Sequence, residues 1–393
     1  MDVTGLRIAL FSGNYNYIRD GANQALNRLV EYLLRKGAQV RIYSPTVPTP
    51  AFPPNGEVVH IPSVPIPGRA EYKAPLVLPP AARRDIRAFR PNIFHVASPD
   101  LLGHGAVALA RRMDLPVVAS VHTRFETYMR YYGLAFLEPL VEAVLRRFYR
   151  RCDAIFAPSE SMAQLLRDQR MSYHVGIWTR GIDRIVFNPA ARDLAWRRGL
   201  GLADDVPVIG FVGRLVMEKG LDVFADTIDC LDQRAVRHQV LVVGEGPARE
   251  WFERRLPQAV FAGFQGGAEL GRAVASMDML FNPSVTETFG NVTLEAMAAG
   301  LPVVAAIATG SESLVTDRVT GRLIRPGAIE AFADALRFYC EDEQARREAG
   351  RAGCEISKRY GWDEVNQALV DAYCRVIRQR EAGGRLPLRS PVP

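Results

Sequence analysis

The feature that most constrains this chain is a regular alternation of short apolar runs with helical patterns. Leu6–Ser12, Gln39–Ser44, Glu57–Pro62, Asn92–Ala97, Pro116–His122 and Ala154–Pro158 read as strands in the first half. Val206–Val212, Gln239–Val243, Ala259–Gly263, Met279–Asn282 and Pro302–Ala305 do so in the second. Helical patterns lie between them, such as Gln24–Lys36, which Gly37 stops. Repeated βα units of this length predict parallel sheets covered by helices on both faces. The proline-rich PTVPTPAFPPNG and the stretch from Pro62 to Pro80 read as irregular. The alternation breaks at IDRIVFNPAA, residues 182–191, and 393 residues exceed what one core usually serves. The expectation is therefore α/β, with two doubly wound Rossmann-like domains facing each other across a cleft at the carboxyl ends of their strands. The first domain is expected at 1–188 and the second at 189–361. A helix at 362–380 is expected to cross back to the first domain, ahead of a flexible tail at 381–393.

Several classes are disfavoured. Hydrophobic residues make up 48% and charged residues 23%, ordinary values for a globular protein. No run approaches the ~18–20 apolar residues of a membrane span. The segment MDVTGLRIALFS enters a strand without a basic n-region or cleavage site, which predicts a cytoplasmic protein. Cys152, Cys230, Cys340, Cys354 and Cys374 are scattered and form no CxxC pair, against a disulfide framework or zinc site. The net charge of +6 is uneven: residues 1–190 hold 24 Lys/Arg against 15 Asp/Glu, and residues 191–393 hold 25 against 28. A basic half suggests an anionic partner, either a membrane surface or nucleic acid. Arg146, Arg147, Arg150 and Arg151 follow the apolar stretch Leu134–Leu145, so a helix over Tyr131–Arg151 would carry them at its C-terminal end.

The chemistry concentrates in FNPSVTETFGNVTLEAMAAGLPVV, residues 281–304. A strand ending at Asn282–Pro283 leads to a polar turn with Glu287. Gly290 and Asn291 then open a helix that contains Glu295 and stops at Gly300. Amides near Gly290, Asn291 and Val292, backed by the helix dipole, form a ready phosphate site. Two carboxylates beside an anion site suit a ligand that also presents sugar hydroxyls. Arg214 and Lys219, five apart after another strand, can reach one diphosphate. Gly244 and Gly246 follow a further strand and leave room for a base or ribose, while Gly21 opens the first helix. His122 stands at a strand end. The dinucleotide fingerprint GxGxxG and its acidic partner are missing, against an oxidoreductase, and no Asp-x-Asp occurs.

Together GRL(x)3KG, VVGEGP, FxGF and ETFGNVTLEAMAAGLPVVA resemble the retaining GT-B glycosyltransferases of family 4. The likeness includes SVHTRFETYMRYY at Ser120–Tyr132, Ala157-Pro158-Ser159, and Arg180-Gly181-Ile182-Asp183 with Phe187, so it runs from Leu6 to about Ile377. It is nearest in character to GDP-mannose-dependent α-mannosyltransferases and sulfoquinovosyl-diacylglycerol synthases. Arg124 stands where relatives often carry an acid, and Thr309-Gly-Ser-Glu312-Ser-Leu departs from the usual paired glycines.

The resemblance implies a nucleoside diphosphate sugar as co-substrate, with no cofactor and no metal. It implies that His122, Glu287, Arg214 and Lys219 are catalytic. Gly21, Arg214, Lys219, Gly244, Gly246, Glu287, Phe289, Gly290, Asn291, Val292 and Glu295 are implied to hold the donor. Glu287 would take hydroxyls of the transferred sugar and Glu295 those of the ribose. The acceptor is expected to be a lipid or glycan, with peripheral contact to an anionic membrane and none to nucleic acid. A nucleotide-sugar epimerase and a non-catalytic nucleotide-sugar binder are the competing readings; the E-x7-E spacing of Glu287 and Glu295 disfavours the epimerase.

Overall fold

The computed structural model describes residues 2–18, 20–66, 69–122 and 135–383. Of the features read from sequence, residues 123–132 of the SVHTRFETYMRYY segment, with Arg124, lie outside the described residues. So do 131–134 of the expected arginine-bearing helix and 384–393 of the tail. Two compact units form. One runs to Arg180 and takes in the helix that starts at Trp362; the other is Gly181–Gly361.

In the first unit the strands are β1 (Arg7–Phe11), β2 (Gln39–Ser44), β3 (Glu57–His60), β4 (Ser63–Ile66), β5 (Arg69–Pro75), β6 (Ile93–Val96), β7 (Val117–Ser120), β8 (Ala154–Ala157) and β9 (Val175–Ile177). Seven of them make a parallel sheet in the order β3-β2-β1-β6-β7-β8-β9. Alternation within β1 splits the core. Ile8 and Leu10 join the layer on one face with Leu26, Leu29 and Val30, while Ala9 and Phe11 join the layer on the other. The helix Trp362–Glu381 buries Val365, Leu369, Tyr373, Val376 and Ile377 in the first of these layers. That spacing is one helical stripe, and each fully buried apolar side chain contributes about 1.5–3 kcal/mol. Tyr32–Gln367 (2.5 Å) and Arg35–Asp363 (2.5 Å) tie the helix down from its polar side.

The second unit contains β10 (Val208–Val212), β11 (Gln239–Val243), β12 (Val260–Phe261), β13 (Met279–Asn282), β14 (Val303–Ala306) and β15 (Gly321–Ile324). They form a parallel sheet in the order β12-β11-β10-β13-β14-β15. Strand order reverses between β1 and β6 in one unit and between β10 and β13 in the other. Chains leaving the two strands at such a point diverge to opposite faces and leave a crevice between them.

The structure adds three features to the sequence reading. The stretch to Pro80, read as irregular, holds the antiparallel hairpin β4–β5. The edge strands β9 and β15 were not expected either. Among the described residues no helix is long and apolar enough to cross a membrane.

Candidate active site

Arg214 leaves β10 and Glu287 follows β13, so the second sheet's reversal point brings their loops side by side. Between them, the turn Met217–Lys219 ends on Gly220, whose φ of 73° is left-handed and natural for glycine. That turn packs on the Pro283–Thr286 loop: a Cβ at Gly220 would lie 3.1 Å from the Pro283 carbonyl, and Thr286 Oγ1 donates to the Glu218 carbonyl at 3.3 Å. The packing delivers Lys219 Nζ to within 2.5 Å of Glu287 Oε1, with the two side chains 30% and 20% exposed. Burial alone would raise the Glu287 pKa, but the Lys219 charge and hydrogen bond, together with one from Ser284, hold it below the usual range. Glu295 behaves in the opposite way. Burial first, then the Glu287 charge, push its carboxyl up to about 7.

The helix Asn291–Ala298 begins at Gly290 in left-handed geometry (φ 93°) and has no side-chain cap. Its first amides therefore face outward as donors. Asn291 Oδ1 is buried and finds no hydrogen-bond partner among the described residues. Glu287 itself is held from behind by Thr309 and Gly310. Thr309 Oγ1 (2.7 Å) and the Gly310 amide (2.9 Å) both donate to the Glu287 carbonyl. A Cβ at Gly310 would sit 2.6 Å from the Phe289 carbonyl carbon, so only glycine permits that approach. This gives a local task to the Thr309-Gly-Ser-Glu312 segment that departed from the family pattern. A Thr-Gly pair after a strand end was the available signal.

Four of the expected donor residues have packing tasks of their own. A Cβ at Gly244 would lie 1.9 Å from the Gly213 carbonyl oxygen, and one at Gly246 2.3 Å from the Leu215 carbonyl oxygen. Their small size lets two strand-end loops of the protein touch, a packing reason for glycine at both positions. Phe289 is buried in the core under the helix, edge-on to Tyr360 at 6.0 Å. Val292 is half-buried and packs on that same core.

In the first unit, Gly21 is the first residue of the helix Gly21–Arg35, whose N-terminus is capped by Asp20 accepting from the Asn23 amide at 2.8 Å. Gly21, expected among the donor-holding residues, thus lies at a helix end that carries the protein's own carboxylate. His122 follows β7. Its Nε2 lies 2.8 Å from Ser120 Oγ and its Nδ1 2.7 Å from an Arg180 terminal nitrogen. Burial, then Arg180, then His95 drive its pKa well below the usual value, so the imidazole is neutral. Sequence reasoning passed over His95, although a histidine inside the otherwise apolar Ile93–Val96 run demands hydrogen-bond partners. Among the described residues no cluster of His, Cys, Asp or Glu has the make-up of a metal site.

Both units are doubly wound, and the second brings a cation, two carboxylates and an uncapped helix end together at its strand-order reversal. Residues 19–184 match the model of Glycosyltransferase Family 4 and residues 206–342 that of Glycosyl transferases group 1. The chain is 33% identical over 381 residues to a GDP-mannose-dependent alpha-mannosyltransferase of Mycolicibacterium smegmatis, covering 95% of this chain and 99% of that protein. It is 31% identical over 366 residues to the sulfoquinovosyl transferase SQD2 of Arabidopsis thaliana, covering 91% and 71% respectively. Among solved structures, Anabaena HepE in complex with UDP superposes with a TM-score of 0.72 at 18% identity, covering 94% of this chain and all of that one. The chain belongs to glycosyltransferase family 4, and its two Rossmann-like domains are those of the GT-B architecture.

Proposed function

We propose that this glycosyltransferase moves a hexosyl group, mannose from GDP-mannose by first preference, to a lipid or lipid-linked acceptor with retention of anomeric configuration. The observation that carries this reading is the grouping of Lys219, Glu287 and Glu295 at the uncapped end of the Asn291–Ala298 helix, with Arg214 on the neighbouring loop. In this reading the helix end, Arg214 and Lys219 take the diphosphate, Glu287 takes hydroxyls of the sugar, and Glu295 those of the ribose. Lys219 has three donors, so it can keep Glu287 while contacting phosphate. Transfer breaks the bond from the anomeric carbon to the phosphate oxygen and forms one to the acceptor oxygen. The acceptor's proton passes to the leaving phosphate. Cations and helix amides stabilise that developing charge and take the part a metal ion plays elsewhere. His122 contributes as a neutral polar group.

The relatives' names support GDP-mannose at 33% identity; the SQD2 likeness favours a second reading with a sulfoquinovose-type sugar, and the likeness to HepE in complex with UDP is in keeping with a UDP-linked one. A lipid acceptor is supported by the surface of the helix Glu138–Tyr149. Leu140 and Val144 on this helix and Phe136 in the turn Ala135–Leu137 just before it are 63%, 49% and 75% exposed, with Arg147 exposed beyond them. Such an apolar surface with a cationic end suits peripheral contact with the anionic inner face of a cytoplasmic membrane. The four arginines do not act alike. Arg146 binds Glu142 and the Gln169 carbonyl, and Arg150 donates to the Arg170 carbonyl while lying over Tyr173. Incubation with GDP-mannose, UDP-glucose, UDP-glucuronate and UDP-galactose tests the donor. Release of GDP from GDP-mannose is expected. Turnover of a UDP-sugar alone would move the assignment to the second reading, and turnover of none would leave a nucleotide-sugar binder.

A further inference from the structure

A buried chain of polar groups runs through the first unit from the C-terminal helix to the end of β7. Tyr373 Oη lies 2.6 Å from His95 Nδ1, and His95 Nε2 lies 2.8 Å from Ser120 Oγ. The same hydroxyl is 2.8 Å from His122 Nε2, and His122 Nδ1 is 2.7 Å from Arg180. Tyr373, His95, Ser120 and Arg180 are each at most 5% exposed. Trp178 wedges the assembly: its ring is 5.9 Å from His95 and 5.8 Å from His122, and the Arg180 guanidinium carbon stands 5.1 Å over it. Arg180 also donates to the Trp178 and Thr179 carbonyls, and the Asp20 carboxylate is the acid whose charge reaches it.

The directions follow from two facts: a guanidinium carries donors only, and the buried Ser120 hydroxyl has a single proton for which His95 Nε2 is the acceptor in reach among the described residues. Arg180 must donate to His122 Nδ1, so that nitrogen carries no proton. The neutral ring then holds its proton on Nε2 and donates to Ser120 Oγ. The serine hydroxyl, having accepted that bond, directs its own proton to His95 Nε2. His95 in turn keeps its proton on Nδ1 and donates to Tyr373 Oη. The two histidines therefore hold opposite tautomers.

We propose that Arg180 is the positioning residue for His122, locking it as the neutral Nε2–H tautomer and, through Ser120, ordering the whole chain as far as Tyr373 on the C-terminal helix. His122 is thereby removed from proton transfer, because Arg180 stands where a second ring proton would go. Burial lowers the His95 pKa to about 3, and Arg180, brought down by burial to about 10 with Asp20 opposing, stays charged at neutral pH. For its bearing on catalysis the inference rests on the part proposed above for His122; the assignment of tautomers does not.

The test is a long-range proton–nitrogen spectrum of the intact protein labelled with nitrogen-15 histidine. Six histidines give a countable set of signals, assigned with His95→Asn and His122→Asn. The expected result is an Nε2-protonated His122 and an Nδ1-protonated His95, neither titrating between pH 5 and 8. In Arg180→Leu, His122 should titrate within that window or change tautomer, and Arg180→Lys, which also only donates, should restore it. If Arg180→Leu fails to fold, Tyr373→Phe decides: the His95 signals should shift while those of His122 keep their pattern. A wild-type His122 that is protonated on Nδ1 or titrates in this range overturns the proposal. So does a folded Arg180→Leu with unchanged His122 signals, or a Tyr373→Phe that shifts both rings alike. No donor or acceptor enters the measurement, so its failure is separable from failure of the proposed activity.

Discussion

Replacing Lys219 with alanine separates what the Lys219–Glu287 pair does for the fold from what it does for the reaction. The 2.5 Å contact joins side chains that are 30% and 20% exposed, between the limits of a surface pair and a buried one. Exposed pairs contribute ~0–1 kcal/mol, and leaving one charge of a buried pair unmatched costs about 3–5 kcal/mol. For this intermediate case the expected loss is about 1–3 kcal/mol, since Glu287 would stand beside Glu295 with burial opposing its charge. In a domain of this size that lowers Tm by roughly 2–12 °C. The catalytic effect is distinct: losing one donor that stabilises a leaving group cuts turnover by about 10²–10³, or roughly 2.7–4 kcal/mol.

Glu287→Gln in the Lys219→Ala background tells the two apart. It removes the unmatched charge, so thermal unfolding without donor should recover toward wild type while initial rates stay low. The pair should show a coupling in the stability cycle above the ~0.5 kcal/mol scatter of independent sites. Additive stability changes would refute the ion pair, and turnover of Lys219→Ala within about threefold of wild type would refute the diphosphate assignment.

Arg214→Ala should lower turnover by about 10²–10³ with little effect on unfolding, as its side chain is exposed; near-normal rates remove it from the site. Excess chelator should leave transfer intact, because the assigned charge stabilisation is supplied by Arg214, Lys219 and helix amides; loss restored by Mg²⁺ or Mn²⁺ would overturn that assignment. Vesicle sedimentation should show binding that grows with anionic lipid and fades with salt, weakened more by Leu140→Gln with Val144→Gln than by Arg146→Gln; equal partitioning to neutral and anionic vesicles would refute it. Glu295, held at about 7 in the fold against an unfolded value near 4.5, binds more protons folded than unfolded in that window. Stability should therefore fall as pH rises from about 4.5 through 7, and Glu295→Gln should flatten that slope; an unchanged slope refutes the shift.

Strand positions were legible because a buried parallel strand leaves a short apolar run between turn residues. Gln39–Ser44, Gln239–Val243 and Met279–Asn282 emerge with the bounds read from sequence. The β4–β5 hairpin was hidden by its prolines, Pro65 and Pro75, which look like loop but occupy an antiparallel pair. Arg214, Lys219 and Glu287 were legible because each lies on the loop after a strand end, and Glu295 because it lies in the helix that the Glu287 loop opens. Which cation meets which acid was not: Lys219 and Glu287 are brought together by a left-handed turn at Gly220 packing on Pro283, and sequence spacing holds no trace of that contact. Gly244 and Gly246 illustrate the ambiguity of glycine. Glycine marks close approach of something, and sequence alone does not say whether that is a ligand or the protein's own loop.

The puzzle of two carboxylates at an anion site resolves once their environments are compared. Lys219 lies against Glu287. Glu287 is paired and ionised, while burial and the Glu287 charge both raise the Glu295 pKa to about 7, so that Glu295 sits near half-protonation at neutral pH. The net charge at the helix end is thus close to that of Lys219 and Glu287 cancelling, not that of two anions repelling a third. An arriving diphosphate would then meet Arg214 and the outward amides across a nearly neutral floor. Its own charge would favour protonated Glu295 further, turning that carboxyl into a donor as well as an acceptor for a vicinal hydroxyl pair. Donor affinity and Glu295 protonation are coupled on this account, so tighter binding on the acid side of neutrality is the expected signature of the wild type. Glu295→Gln, fixed in the uncharged state, should bind with an affinity that no longer rises as pH falls through 7; an undiminished rise in that variant would place the coupling elsewhere.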